Sequence, residues 1–174
     1  MKENFKDTNS NIFPYDRDAA YRYAKKWAFE RNPKYYNFDG IGGDCTNFAS
    51  QILHAGGCVM DYSRWTGWYY TSVNNRAPSW TSVEYLYKFL INNKNRGPIA
   101  EECTIDDLEI GDIIQLNFNY DDKFNHSPIV VKIDEPRKPE NIFIAAHTYD
   151  RFEYPLINYD YDDIRFLHIV GYRI

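Results

Sequence analysis

The sequence predicts an α+β fold in which helices pack on an antiparallel β-sheet. In the first half of the chain, apolar residues recur at helical spacing. In the second half, segments rich in branched and aromatic residues are separated by turn residues. Helices followed by consecutive strands are typical of this fold class. The 174 residues contain no internal repeat and no low-complexity linker, so we expect a single domain over 1–174.

Three helices are predicted, over about 17–31, 45–55 and 83–93. Asp16 is placed to cap the first helix, and Thr81 to Glu84 has the pattern of a capping box at the start of the third. The second helix is expected to end at Gly56-Gly57. The polar residues 1–13 are expected to be flexible.

Four strands are predicted, over 113–118, 127–133, 141–148 and 166–174. The loop 134–140 connects the second strand to the third, and we expect these two strands to pair as an antiparallel hairpin. Segment 92–99 is predicted to be a turn. Segment 58–80 has neither helical nor strand period and is predicted to be a long loop.

Composition excludes several functional classes. The net charge of −5 and the pI near 5.4 argue against nucleic acid as the main partner. The cysteines and histidines have no zinc-site spacing, and the acidic segment 160–163 lacks the glycine and glutamate of a calcium loop, so we expect neither metal nor cofactor. The chain as given has no signal peptide and no membrane-spanning segment, so a cell-wall location would require a signal that has been removed, and otherwise the protein is cytoplasmic. The oligomeric state stays open.

Cys45 is the candidate nucleophile because of the residues around it. Glycines lead into Asp44, and Cys45 falls in the first turn of the predicted second helix, where free N–H groups and the helix dipole favour a thiolate. Asp44 is predicted to cap this helix by accepting the N–H of Asn47 or Phe48. The alternative is that Cys45 is a small buried side chain. The odd cysteine count requires at least one free thiol, and leaves open a disulfide between the other two, Cys58 and Cys103.

Two of the four histidines are candidates for the general base. His126 begins one predicted strand and His147 ends the next, so an antiparallel pairing brings both to the same end of the sheet. One could then accept the proton of Cys45 while the other holds its tautomer. His54 lies two and a half turns along the helix from Cys45, which is too far. His168 is expected to be structural.

The long loop 58–80 is rich in aromatic residues, among them Trp65 and Trp68. These side chains could form one wall of a substrate cleft. Equally, they could attach the loop to the hydrophobic core. The sequence does not decide between the two.

Several motifs resemble a known family. Asp44-Cys45-Thr46-Asn47-Phe48 resembles the Asp-Cys-Ser-Gly-Phe motif of NlpC-like, papain-fold cell-wall peptidases, with Thr-Asn replacing Ser-Gly. The fuller resemblance is to the bacterial putative amidase domain family of the same clan, and it extends from about Tyr15 to Arg173. The other segments that carry it are Tyr15 to Ala20, Ser79-Trp80, Gly111 to Leu116, His126-Ser127-Pro128, Ala146 to Asp150 and Gly171-Tyr172-Arg173.

This resemblance implies a papain-like fold with the nucleophile at a helix N-terminus. It implies Cys45 as nucleophile, His126 as general base and His147 as the residue that orients it. It also suggests that Asp44 contacts a substrate ammonium group. Asn47 and Gln115 are candidates for lining an oxyanion hole beside the backbone N–H of Cys45.

The predicted function is therefore that of a cysteine-dependent amidase or peptidase. It would hydrolyse an amide bond, in peptidoglycan or another peptide substrate, through a thiol acyl-enzyme. One alternative is an intracellular cysteine protease, deamidase or acyltransferase with the same residues. The other is a non-catalytic module that binds a glycan or peptide on the same fold.

Overall fold

A computed structural model describes residues 11–119 and 122–174. The helices are α1 (Arg17–Trp27), α2 (Cys45–Ala55), α3 (Pro78–Thr81) and α4 (Val83–Asn92). The strands are β1 (Tyr70–Ser72), β2 (Asn75–Arg76), β3 (Gly97–Cys103), β4 (Ile113–Asn117), β5 (Ile129–Ile133), β6 (Ile142–Ala146), β7 (Arg151–Pro155) and β8 (Asp163–Arg173).

Six of these strands form one antiparallel sheet in the order β3-β8-β4-β5-β6-β7. The structure confirms the predicted small α+β domain with an antiparallel sheet. The predicted pairing of β5 with β6 is also present, with Ile129 opposite Ala145. The sequence prediction missed β3 and β7, and it wrongly assigned the start of β3 to a turn. Both are edge strands that carry charged residues, and such strands lack a clear apolar alternation.

The sheet has a hydrophobic core on each face. Because side chains alternate along a strand, Ile129 and Ala145 belong to the core shared with the helices. Val130 and Ile144 belong to the second core, which is closed by Leu156 and other residues that follow β7. This alternation decides which face of the sheet each histidine occupies.

Helix α1 begins as predicted but ends earlier. The Asp16 carboxylate accepts the N–H of Ala19 at 2.8 Å, which confirms the N-cap. The helix stops at Trp27 rather than Arg31, and the Trp27 carbonyl accepts the N–H of Glu30 in a tighter turn. The expected flexibility of residues 1–10 lies outside the described residues. Phe13 makes two backbone hydrogen bonds with Tyr172, so it is part of the fold.

Several segments that carry the family resemblance contact one another at one place in the fold. The Tyr15 hydroxyl donates to the Gly111 carbonyl, and its ring lies where a Cβ on Gly56 would be 2.1 Å from a ring carbon. Arg17 donates to Asp112, whose buried carboxylate also accepts the N–H of Ile169 and faces the expected structural residue His168. Gly56 therefore does more than end α2, because it makes room for Tyr15.

The start of α4 differs from the prediction. Ser82 is the N-cap, and its side chain makes no capping bond. The predicted capping box is wrong because both of its side chains are used elsewhere. Thr81 accepts from Arg76, and Glu84 binds Arg165 and the N–H of Phe124. The prediction of an irregular loop over 58–80 is wrong in part, because this segment contains the β1–β2 hairpin and the start of α3.

Candidate active site

The loop before α2 reaches Cys45 through two glycines in the left-handed region. Gly42 has φ +88° and Gly43 has φ +103°. A Cβ on Gly43 would lie 3.2 Å from Thr148 Oγ1, and this hydroxyl accepts the N–H of Asp44 at 2.7 Å. The turn after β6 thus packs directly against the start of α2.

Asp44 does not have the roles predicted for it. Its carboxylate is fully buried, and Oδ1 accepts the N–H of Phe38 at 2.9 Å and the side-chain amide of Asn47 at 2.8 Å. Oδ2 lies 2.6 Å from His147 Nδ1 and 3.5 Å from Arg31 Nε. No backbone N–H of α2 is capped, and the carboxylate is out of reach of a substrate ammonium group. Asp44 is instead the centre of a buried polar cluster.

His147 belongs to the same cluster and not to a pair with His126. Its Nε2 donates to the Trp27 carbonyl at 2.8 Å, and its ring stacks on Phe48 at 3.7 Å with an interplanar angle of 7°. With Nδ1 against Asp44, both ring nitrogens are engaged. The expectation that His147 orients His126 is therefore wrong for this arrangement, because no nitrogen remains to do so. His147 holds α2, β6 and the end of α1 together.

An ion-pair network connects this cluster to the surface. Arg31 forms a bidentate pair with Asp150, at 2.7 and 3.1 Å, and it also binds Asp39 at 2.6 Å. Asp39 in turn accepts from Thr148. The loop that leads to Cys45 is thus fixed to the β6–β7 turn by charged groups as well as by packing.

His126 lies at the same end of the sheet as His147 but on the opposite face, where it is buried beside Tyr159. Its Nε2 is 3.4 Å from the Tyr159 hydroxyl, and the two rings are edge to face at 5.5 Å. The backbone N–H of the next residue, Ser127, lies near enough to the Cys45 thiol to lower its pKa. Tyr159 is also near enough to Cys45 for the charge of one to act on the pKa of the other. Cys45 and His126 therefore share two neighbours, although no direct hydrogen bond joins them within the described chain.

Burial disfavours the charged form of both groups. It raises the pKa of the Cys45 thiol, and hydrogen bonds from Thr46 and Ser127 oppose this effect. Burial lowers the pKa of His126 to about 4. The free protein consequently holds a thiol beside a neutral imidazole, which is able to accept a proton.

The lowered pKa of His126 predicts acid sensitivity. Between about pH 6.5 and about pH 4 the unfolded chain binds a proton at this residue and the folded chain does not. We therefore expect His126 to reduce the free energy of unfolding by about 2–3 kcal/mol as the pH falls through this window. Urea unfolding near neutral pH and near pH 4.5 measures the loss. A His126→Gln control should lose less stability over the same range, and an equal loss would contradict the prediction.

The two predicted oxyanion side chains are fully engaged elsewhere. Asn47 donates to the Tyr36 carbonyl and to Asp44, and it accepts from the Trp80 indole at 2.9 Å. Gln115 donates to the Val83 carbonyl and to Ser127 Oγ, both at 3.1 Å. Neither amide has an N–H left for an oxyanion. The sequence did not reveal that both residues are structural, because their hydrogen-bond partners lie on other elements and leave no pattern in the neighbouring sequence.

The two tryptophans of segment 58–80 differ in role, one packing in the core and the other lying at the surface. Trp68 is completely buried beneath α2 and donates to Ser50 Oγ at 3.0 Å, so it cannot contact a substrate. Trp65 is 69% exposed and lines a small hollow that includes Arg76. Arg76 also lines the cleft in front of Cys45, so this hollow adjoins the cleft. Trp65 remains a candidate for substrate contact.

Cys45 opens into a cleft of about 780 Å³. Its walls come from the glycine loop before α2, from the start of α4 and from the segment that precedes His126, with lining residues that include Gly43, Cys45, Arg76, Val83, Phe124 and Asn125.

Cys58 and Cys103 are free thiols, so the disulfide left open by the sequence is absent. Within 11–119 and 122–174, no three His, Cys, Asp or Glu side chains are grouped as metal ligands would be. None of the helices described there is long and apolar enough to cross a membrane.

Sequence reasoning missed Tyr159 as a neighbour of His126. Tyr159 follows a short 3-10 turn after β7, a strand that was not predicted. Burial raises its pKa above the usual value, so its hydroxyl stays protonated. No local pattern could have placed it beside His126, because the contact depends on the path of the chain across the sheet.

Comparison with known proteins identifies the family. A family model described as "Putative amidase domain" matches residues 14–170. The uncharacterized protein YhbB of Bacillus subtilis (strain 168) is 36% identical over 150 residues, which cover 85% of this chain and 46% of YhbB. The chain thus spans about half the length of this relative, and no solved structure matches it. Because the family model leaves out only the two ends of the sequence, the chain belongs to the putative amidase domain family, whose description indicates a hydrolase of C–N bonds.

Proposed function

We propose that the protein is a cysteine-dependent amide hydrolase with Cys45 as nucleophile and His126 as general acid and base. The observation that carries this proposal is that Ser127, the residue after His126, adjoins the start of α2. Thr46 Oγ1 donates to Ser127 Oγ at 3.5 Å, and the Ser127 amide lies near enough to the Cys45 thiol to lower its pKa. The thiol lies at the start of α2 and lines the cleft. The helix dipole and free N–H groups at this position favour a developing thiolate. Hydrogen bonds between catalytic groups are often longer before substrate binds.

The reaction then has two halves. Cys45 Sγ attacks the carbonyl carbon of the amide while its proton passes to His126. The backbone N–H of Cys45, which has no partner within the helix, is placed to stabilise the oxyanion. His126 next protonates the leaving amine as the C–N bond breaks, and a thioester remains. Water attacks the thioester with His126 as base, which releases the acid and restores the thiol.

A papain-like arrangement and a cell-wall substrate form the finer part of the proposal. The position of Cys45 at the first residue of α2, with α2 packed on an antiparallel sheet, supports the arrangement. The resemblance of residues 44–48 to cell-wall peptidases supports a peptide of peptidoglycan as substrate.

Tyr159 takes the positioning role first assigned to His147. Its hydroxyl bonds to the ring nitrogen of His126 and would hold the imidazole in one orientation. Because this bond is long, at 3.4 Å, we expect Tyr159→Phe to lower kcat by no more than about tenfold, with little change in KM. A shift in the acid limb of the pH–rate profile would separate this role from a structural one. A variant with unchanged kcat and an unchanged profile would remove Tyr159 from the mechanism.

The direct test is hydrolysis followed by mass spectrometry, with muropeptides and an unfolded protein as the two substrates. We expect parent protein to cleave a muropeptide amide and Cys45→Ala to cleave nothing while it remains folded. Cys103→Ala is the matched control, because its half-exposed thiol lines a different hollow. Cleavage of the unfolded protein alone would favour a protease. Full activity in Cys45→Ala would contradict the mechanism. Binding of the substrates by the parent protein without cleavage would contradict it as well.

A further inference from the structure

The Cys45 cleft contains a guanidinium group held in one position. Arg76 Nε donates to Thr81 Oγ1 at 3.1 Å, and Nη1 donates to the Val73 carbonyl. The guanidinium lies over the Phe38 ring, 4.5 Å from its centroid. Phe38 is itself bonded through its N–H to Asp44, the residue before Cys45. Arg76 is therefore positioned relative to the nucleophile by a short chain of contacts.

This cation has no carboxylate partner among the residues that the structure describes. The acidic side chain that lines the described part of the cleft, Glu84, is bound to Arg165 at 2.9 Å and to the N–H of Phe124. The hydrogen bonds of Arg76 go to neutral oxygens. Its Nη2 makes no hydrogen bond within the described residues. Lys88 also lines the cleft, which therefore has a second cationic side chain in a chain of net charge −5.

A half-buried charge is normally paired, because an unpaired charge loses hydration without compensation. A planar guanidinium with a free edge matches the geometry of a carboxylate. We propose that Arg76 binds a carboxylate of the substrate, so that the cleft selects acyl donors with an anionic group near the scissile amide. This assignment rests on the proposed function, since it assumes that the Cys45 cleft receives the acyl donor.

The test compares two alkylating reagents of similar size and different charge, iodoacetate and iodoacetamide. Both form an S–C bond with Cys45 and release iodide. Mass spectrometry of the Cys45 peptide gives the two rates, and the ratio of iodoacetate to iodoacetamide is compared with the ratio for free cysteine. Arg76→Gln removes the charge, Arg76→Lys keeps it, and Lys94→Gln removes an exposed charge outside the cleft.

We expect the ratio in the parent protein to exceed that of free cysteine by about tenfold at low ionic strength. Arg76→Gln should lower it by about threefold or more, whereas Arg76→Lys and Lys94→Gln should retain it. Salt at about 1 M should bring the parent ratio towards that of free cysteine. If Arg76→Gln does not fold, Lys88→Gln tests the positive charge of the same cleft and should lower the ratio in the same direction.

A parent ratio equal to that of free cysteine would overturn the assignment, as would a raised ratio that Arg76→Gln leaves unchanged. These outcomes leave the proposed function intact, because Cys45 still reacts. A Cys45 that reacts with neither reagent at any pH would instead overturn the proposed function, and the role of Arg76 with it.

Discussion

Replacing His126 by alanine is expected to lower kcat/KM for amide hydrolysis by about a hundred- to ten-thousand-fold. Burial raises the pKa of Cys45, so the thiolate forms through proton transfer to a neighbouring base. His126 is neutral near pH 7 because burial lowers its pKa, so it is ready to accept that proton. It must also deliver the proton to the leaving amine. Loss of the imidazole removes both functions.

The matched control is His168→Ala. His168 is a half-buried histidine on β8 that bonds to Asp112 and lines a hollow away from Cys45. We expect it to retain activity within a few-fold once its folded fraction is measured by circular dichroism. Equal rates in His126→Ala and parent protein, with both folded, would contradict the assignment of the base.

Replacing Asp44 by alanine is expected to reduce the free energy of unfolding by about 3–5 kcal/mol. The carboxylate is fully buried and accepts from Phe38, Asn47 and His147, with Arg31 nearby. Its removal leaves these donors without an acceptor in the interior. His147 keeps its hydrogen bond to the Trp27 carbonyl but loses the partner of its Nδ1. Because α2, β6 and the end of α1 meet at this cluster, the loss affects the whole core. Urea unfolding at neutral pH measures it.

Asp16→Ala provides the comparison. Asp16 is an exposed carboxylate with one capping bond, at the start of α1, and its removal should cost about 1 kcal/mol. A similar small cost for Asp44→Ala would mean that Asp44 contributes no more than an ordinary cap, and that the buried cluster does not hold the site.

The fold class could be predicted from the sequence because periodicity is a local property. The three predicted helices, now α1, α2 and α4, and the four predicted strands have strong apolar patterns, and they appear where expected, within a few residues. Edge strands β3 and β7 carry charged residues, and this weakens the apolar pattern. The α4 capping box failed for a different reason. Thr81 and Glu84 had better partners in Arg76 and Arg165, which lie elsewhere in the chain.

The roles of the histidines show where local reasoning stops. An antiparallel hairpin does bring His126 and His147 to the same end of the sheet. The register, however, puts Ala145 on the helix side and Val130 on the other side. His147, two residues after Ala145, and His126, four residues before Val130, keep those faces, so His147 meets Phe48 of α2 while His126 meets Tyr159. The sequence identified the right end of the sheet, but the face depends on register.

The central claim is that Cys45 and His126 exchange a proton. The most direct measurement is the rate of Cys45 alkylation by iodoacetamide as a function of pH, in parent protein and in His126→Ala. The account predicts that reactivity in the parent persists to lower pH than in the variant, because the proton can pass to His126. Without His126, the profile should rise to or above the ordinary thiol value of about 8.5, since burial outweighs the hydrogen bonds from Thr46 and Ser127 that lower the pKa of the thiol. Identical profiles for the two proteins would contradict the account and would make Cys45 a buried structural thiol.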